Sequence, residues 1–302
     1  MLSDELWQQL LQLRASARAG EAAMRYVCCT GSRLVARARP DFDDGTEAIL
    51  CREPLTHDGW QTEPLLEGNL WLLRAPGCGH DLHTALRIYA PLALARWISG
   101  DRSFVLVHMA QSLDGKVSTS AGHSKWIGND DNLRHAHRLR ALVDGVLVGG
   151  RTASLDMPRL SVRHVRGEDP ARIILSDSFT ALDALPRVEG MRTISARTSD
   201  RNGIPQGRDD FEIVRCDSTD GAVQVPSLLA CLRAAGVHTI LVEGGPKTFR
   251  AFQEAGAVDW LQLHVAPVLF GSGRPVLQLQ EIDAVDDAVA LSNPFYTVMG
   301  NA

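Results

Sequence analysis

The chain has 302 residues, 45% apolar and 22% charged, with a formal net charge of -5. This is the balance of a folded globular protein, and it excludes collagen-like and disordered classes. The charge is spread evenly, so no basic tract offers a nucleic-acid face, and no apolar run reaches the roughly 20 residues of a membrane-spanning helix.

The chain opens with Leu2, Leu6, Trp7, Leu10 and Leu13 on one helical stripe, which predicts an amphipathic helix. Asp4 and Glu5 stand where a signal peptide would be basic, so a cytoplasmic protein is expected. Short apolar pieces at 33–38, 48–51 and 69–73, separated by Pro, Gly and Asp, read as small strands in a loop-rich α+β module. A helix is expected over 81–98 with a kink at Pro91, and the Ser-Gly-Asp-Arg-Ser stretch at 99–103 is taken as a boundary between residues 1–101 and 102–302. The six cysteines form no C-x-x-C pair, so reduced thiols and no metal site are expected.

Beyond the boundary, strand and helix signals alternate. Strands are expected at 104–110, 145–148, 172–175, 193–196, 212–215, 239–242, 261–269 and 296–299, and helices at about 130–143, 226–235 and 246–255. This pattern predicts an α/β sheet with crossovers. In the 261–269 strand, Gln262 and His264 are read as alternating outwards, and the polar stretch 198–210 as a surface loop.

Several segments carry chemistry. The loop Gly122-His123-Ser124-Lys125-Trp126 presents a hydroxyl, an ammonium and an indole together; the indole could stack on a flat ring or simply cover the core edge. Arg138 and Arg140 end the following helix, and the buried strand 145–148 leads to Gly149-Gly150-Arg151-Thr152, where an open α/β sheet binds its ligands. Asp156 and Arg163 share one stretch expected to be irregular. At Glu243-Gly244-Gly245-Pro246-Lys247-Thr248-Phe249, an apolar strand meets a helix whose first turn can cradle a phosphate, although an ordinary strand-to-helix turn reads the same way. Neither G-x-G-x-x-G nor a Walker loop is available.

Taken in order, S-L-D-G-K (112–116), S-K-W-I (124–127), L-R-A-L-V-D-G-V-L-V-G (139–149), T-A-S-L-D-M-P-R-L-S-V-R (152–163), L-V-E-G-G-P (241–246) and A-P-V-L-F-G (266–271) resemble the reductase domain of bacterial riboflavin biosynthesis, of the dihydrofolate-reductase-like superfamily. The resemblance implies a mostly parallel sheet with flanking helices. It also implies NADPH-dependent reduction of the ribosyl group of 5-amino-6-(5-phosphoribosylamino)uracil, with NADH as the alternative cofactor and a homodimer as the usual assembly. Carried over by motif, Ala110, Trp126, Thr152, Asp156, Asp177, Gly245, Pro246, Lys247, Thr248 and Phe249 would face the dinucleotide. Ser124, Arg140, Leu160, Arg163 and Glu243 would face the phosphorylated pyrimidine, with Glu243 a candidate proton relay.

Three departures stand out. Met157 replaces an acidic residue of the family's Asp-Asp-Pro, and Ser176-Asp177 reverses its Asp-Ser, placing a carboxylate where the 2′-phosphate of NADPH is expected. The first hundred residues contain neither the H-x-E nor the P-C-x-x-C of a zinc deaminase. A reductase of another pyrimidine, pteridine or carbonyl, and a non-catalytic dinucleotide sensor, are the alternatives. A serine hydrolase built on Ser124 would need a small residue where Trp126 stands.

Overall fold

The computed structural model describes residues 2–20, 24–42, 45–66, 68–124, 128–178, 180–183, 185–198, 210–278 and 281–291. The chain divides into two compact units: one runs to Gly100 and takes in the segment from Ile282, and the other spans Asp101–Glu281.

The first unit begins with α1 (Asp4–Ala19), whose N-cap Ser3 accepts a hydrogen bond from the Leu6 N–H at 3.2 Å. Leu6, Trp7, Leu10 and Leu13 are buried as the stripe requires. Strands β1 (Tyr26–Thr30), β2 (Arg33–Arg37), β3 (Ala48–Cys51), β4 (Gln61–Leu66) and β5 (Leu70–Arg74) form an antiparallel sheet in the order β2-β1-β3-β5-β4. The sequence reading missed β1 and β4; β4 is an edge strand that tolerates Pro64 because one side of an edge needs no ladder donor. Helix α2 (His80–Ala93) carries Pro91 in its last turn, and the chain breaks at Leu94 before the short α3 (Ala95–Ile98). His83 and Arg87 on α2 both engage Glu63.

The second unit contains β6 (Phe104–Ser112), β7 (Lys116–Ser118), α4 (Asp130–Leu142), β8 (Gly145–Gly149), α5 (Gly150–Asp156), β9 (Ala171–Leu175), α6 (Thr180–Asp183) and β10 (Thr193–Thr198). It continues with β11 (Glu212–Cys216), β12 (Ser218–Thr219), β13 (Ala222–Val223), α7 (Val225–Ala234), β14 (Thr239–Val242), α8 (Pro246–Glu254), β15 (Trp260–Ala266) and β16 (Arg274–Pro275). Seven of these strands make a parallel sheet in the order β11-β10-β9-β8-β14-β6-β15. Parallel sheets are buried on both faces, which is why β6, β8, β9 and β14 read as predominantly apolar runs. Because β14 inserts between β6 and β8, the strand order reverses there, and the carboxyl ends of these three strands frame a crevice.

Two side chains lock the returning strands. Asp144 Oδ2 accepts from the N–H groups of His238 (2.9 Å) and Thr239 (3.1 Å), and Asp114 accepts from Ser112 Oγ and from the N–H groups of Phe270 and Gly271. The Asp-Gly turn after β6 therefore organises the loop after β15, and these hydrogen bonds, Ser112 foremost, hold the Asp114 carboxyl below its usual range.

The sequence reading missed α5, which ends with Met157 in the left-handed conformation (φ 44°); beyond Asp156 the chain to Arg163 is irregular, as expected. One expectation is corrected. On β15, Gln262 turns inward to hydrogen-bond His135 at 2.9 Å, while Leu263 and Val265 take the exposed face, so the alternation is opposite to that read. Trp126, residues 199–209 of the polar loop and the 296–299 strand lie outside the described residues.

Candidate functional site

A cleft of about 230 Å³ opens at the carboxyl ends of β6 and β14, lined by residues that include Ala110, Ser124, His108, Ala136, Glu243 and Gly244. Three segments distant in sequence meet there because the sheet brings their strand ends together.

Arg140, in the last turn of α4, grips Glu243 with both ends of its fork: Nε donates to Oε1 at 2.8 Å and Nη2 to Oε2 at 2.7 Å. Its Nη1 donates to the Ser161 carbonyl at 3.2 Å, tying the cleft wall to the segment after α5. The pair is mostly buried, with side chains 13% and 15% exposed. Burial alone would lower the Arg140 pKa, but Glu243 outweighs it and the guanidinium is held above its ordinary value.

Arg163 stands beside this pair. Its Nη1 donates to Ser161 Oγ at 2.6 Å, and its backbone N–H donates to His137 Nδ1 at 2.9 Å. His137 and Arg140 lie three residues apart on α4 and therefore share a face. Partial burial and the neighbouring cations Arg140 and Arg159 push the Arg163 pKa down. A guanidinium crowded by two others in this way is relieved by an anion.

The second wall comes from glycines. A Cβ at Gly244 would sit 2.6 Å from Thr248 Cβ, and one at Gly149 would sit 2.8 Å from Thr248 Oγ1. Only bare backbone lets the first turn of α8 approach the ends of β8 and β14 this closely. Thr152 on α5 is also near: its Oγ1 lies 3.9 Å from where a Gly245 Cβ would be. Pro246 begins α8 at the position where its missing N–H costs nothing, and the positive end of the helix faces this junction. Thr152 and the Gly245–Thr248 turn thus meet at the ends of β8 and β14, with Lys247 exposed in the first turn of α8.

The remaining expected residues are placed differently. Phe249 is 4% exposed and belongs to the sheet core, so its side chain offers nothing to a ligand. Asp177 spends its carboxylate on β10, where Oδ1 accepts from the Thr198 N–H (2.8 Å) and hydroxyl (3.0 Å). Asp156 is exposed at the end of α5, and Leu160 is buried with φ 57°. His108, His137, Ser161 and Arg159 were missed. For His108 the signal was present: one imidazole in the apolar run F-V-L-V-H-M-A, where a polar group needs a reason to be buried.

Residues 103–293 match the family model described as RibD C-terminal domain. The 2,5-diamino-6-ribosylamino-4(3H)-pyrimidinone 5′-phosphate reductase of Methanothermobacter thermautotrophicus is 29% identical over 202 residues, covering 63% of this chain and 90% of that protein. The riboflavin biosynthesis protein RibD of Aquifex aeolicus is also 29% identical, over 60% of this chain and 51% of its own length. The chain thus spans about half the length of the RibD proteins of Aquifex aeolicus and Actinobacillus pleuropneumoniae. The solved deaminase/5-amino-6-(5-phosphoribosylamino)uracil reductase of Thermotoga maritima aligns with a TM-score of 0.52 at 26% identity, over 68% of this chain and 56% of that one. The riboflavin biosynthesis reductase Rib7 of Saccharomyces cerevisiae aligns with a TM-score of 0.53 at 23% identity, over 67% and 90%, which speaks for the fold.

Proposed function

Since the chain belongs to the RibD C-terminal domain family, whose curated relatives are named as riboflavin-pathway proteins and reductases, we propose that it is an NADPH-dependent reductase of a phosphoribosylaminopyrimidine, converting the ribosyl group to ribityl. The observation that carries this reading is Glu243 on the wall of a cleft at the reversal point of the sheet, gripped by Arg140, with Arg163 and Arg159 close behind that pair.

When bound, NADPH supplies a hydride to C1 of the opened sugar. Thr152 and the Gly245–Thr248 turn would hold the dinucleotide, with Lys247 exposed for a phosphate and Ala110 beside it; the motif resemblance adds Trp126 to this set. Arg163, with Arg140 and Arg159 adding positive potential, takes the 5′-phosphate through charge-assisted hydrogen bonds. Ser124 and Leu160 belong to the same substrate side. Glu243 has both oxygens in the Arg140 fork, yet each keeps a lone pair for a sugar hydroxyl. Glu243 thereby positions substrate, and water entering the cleft delivers the proton that balances the hydride. Asp177 Oδ1 is engaged by Thr198, which fixes the carboxylate without removing its charge, so the choice of NADPH over NADH rests on the family resemblance alone. Residues 1–101 act without zinc-deaminase chemistry in this reading, and the enzyme works as a cytoplasmic homodimer.

A different pyrimidine or carbonyl substrate is favoured by one feature, Met157, which is 53% exposed at the end of α5 where the family resemblance calls for a carboxylate. Incubating the chain with NADPH and each candidate, and weighing the product for added hydrogen, separates the readings. Turnover confined to a non-phosphorylated carbonyl would overturn the proposal.

A further inference from the structure

His108 is the cleft residue that the motifs do not absorb. It lies on β6, is 8% exposed, and lines the cleft with Ser124 and Glu243. Its Nε2 is buried and has no hydrogen-bond partner among the described residues. A buried polar nitrogen left unmade costs about 1–3 kcal/mol, so its retention at a cleft wall calls for an occupant that completes it.

The ring is braced from behind. His135 on α4 packs edge-on against it with ring centroids 5.3 Å apart, and His135 Nε2 is in turn fixed by Gln262 Oε1 of β15 at 2.9 Å. The groups facing His108 are His135, Arg140 and Asn132 from α4, His264 from β15, and Glu243 across the cleft. Burial first, then His264 and Arg140, hold the imidazole neutral with a pKa of about 4, against a weaker opposing side-chain hydrogen bond with Asn132, which does not satisfy the buried Nε2. A neutral imidazole offers one donor and one acceptor and no charge, which suits the uncharged amide and amine edges of a pyrimidine better than a phosphate. The anionic end of the substrate already has the three arginines.

We propose that His108 is a specificity-determining residue whose Nε2 hydrogen-bonds the edge of the pyrimidine ring in the cleft. This rests on the reductase reading above.

The test compares the full-length wild type with His108→Leu and His108→Gln. Michaelis constants for 5-amino-6-(5-phosphoribosylamino)uracil are measured together with direct calorimetric binding of that substrate and, separately, of NADPH. The Leu variant is expected to raise both substrate constants about tenfold or more while leaving NADPH binding within about twofold, and Gln, which keeps a neutral donor and acceptor, restores most of the loss. A Leu variant with wild-type substrate constants, or one that weakens NADPH equally without rescue by Gln, overturns the proposal. Should the Leu variant fail to fold, the ¹⁵N-imidazole spectrum of the wild type decides: the His108 Nε2 resonance, assigned through His108→Gln, shifts on adding substrate, and an unmoved resonance overturns the proposal. The two readings fail separately. A wild type without turnover defeats the reductase reading, whereas active wild type with indistinguishable variants defeats the His108 assignment alone.

Discussion

Replacing Glu243 by Leu tests the architecture of the cleft wall. The two Arg140–Glu243 hydrogen bonds of 2.8 and 2.7 Å sit where the side chains are 13% and 15% exposed. At that separation the gross attraction is about 6 kcal/mol with an effective dielectric near 20, most of it offset by the desolvation of two ions. Removing one partner is a different matter, because Arg140 would then keep only the Ser161 carbonyl at 3.2 Å. Loss of a single partner of a buried pair costs about 3–5 kcal/mol. Glu243→Leu should therefore destabilise the second unit by that amount, measured by urea unfolding with the two compact units fitted as separate transitions. The double variant Arg140→Met with Glu243→Leu should recover most of the stability, since an apolar pair of similar volume removes both buried charges. It should recover none of the substrate affinity. A cost below about 1 kcal/mol for the single variant would show that solvent screens the pair and would refute the description of a buried anchor.

Four further outcomes follow from the geometry. Arg163→Ala should raise KM for the phosphorylated substrate at least about tenfold and leave NADPH affinity unchanged, as loss of a charge-assisted contact predicts; equal losses for both ligands would remove the phosphate assignment. Gly244→Ala drives a methyl against Thr248 and should displace the first turn of α8, costing about 1–3 kcal/mol of stability and weakening NADPH binding in a fluorescence titration, with relief from an added Thr248→Gly. The ratio of kcat/KM for NADPH over NADH should exceed one, and a ratio at or below one would show that the Asp177 carboxylate, held by Thr198, opposes a 2′-phosphate and would contradict the NADPH assignment. Stability should also fall in mild acid: burial holds His108 at a pKa of about 4 against an unfolded value near 6.5. The unfolded state thus binds more protons in that window, and stability is full above pH 6.5 and is lost as pH falls toward 4, by up to about 3 kcal/mol for His108 alone. His108→Gln should flatten that part of the stability profile. An unchanged slope would mean His108 is not the group that titrates.

The sheet was legible because parallel strands buried on both faces leave continuous apolar runs, and β6, β8, β9, β10, β11 and β14 all begin within a residue of the expected positions. Strands β1 and β4 were not, since Y-V-C-C-T and Q-T-E-P-L-L owe their pairing to neighbours rather than to an alternating pattern. Helix α5 was hidden by glycines and its short length, which leave almost no periodicity to read. The face of β15 was misassigned for a related reason: Gln262 is turned inward by a hydrogen bond to His135, a partner that strand alternation cannot reveal. At the site, motif order located Arg140, Glu243 and the α8 turn, whose proximity depends on Gly149 and Gly244 approaching Thr248. Which carboxylate faces a ligand was not readable. Asp177 is held by Thr198, and that pairing spans the whole connection from β9 to the end of β10.

The central claim is that this cleft reduces a phosphorylated aminopyrimidine with NADPH. The most direct measurement follows NADPH absorbance in a mixture of the purified chain with 5-amino-6-(5-phosphoribosylamino)uracil and weighs the pyrimidine product. The account predicts one NADPH consumed per molecule of ribitylamino product, and loss of that turnover at low substrate in Arg163→Ala. Tight NADPH binding with no oxidation by this substrate in the wild type would contradict it.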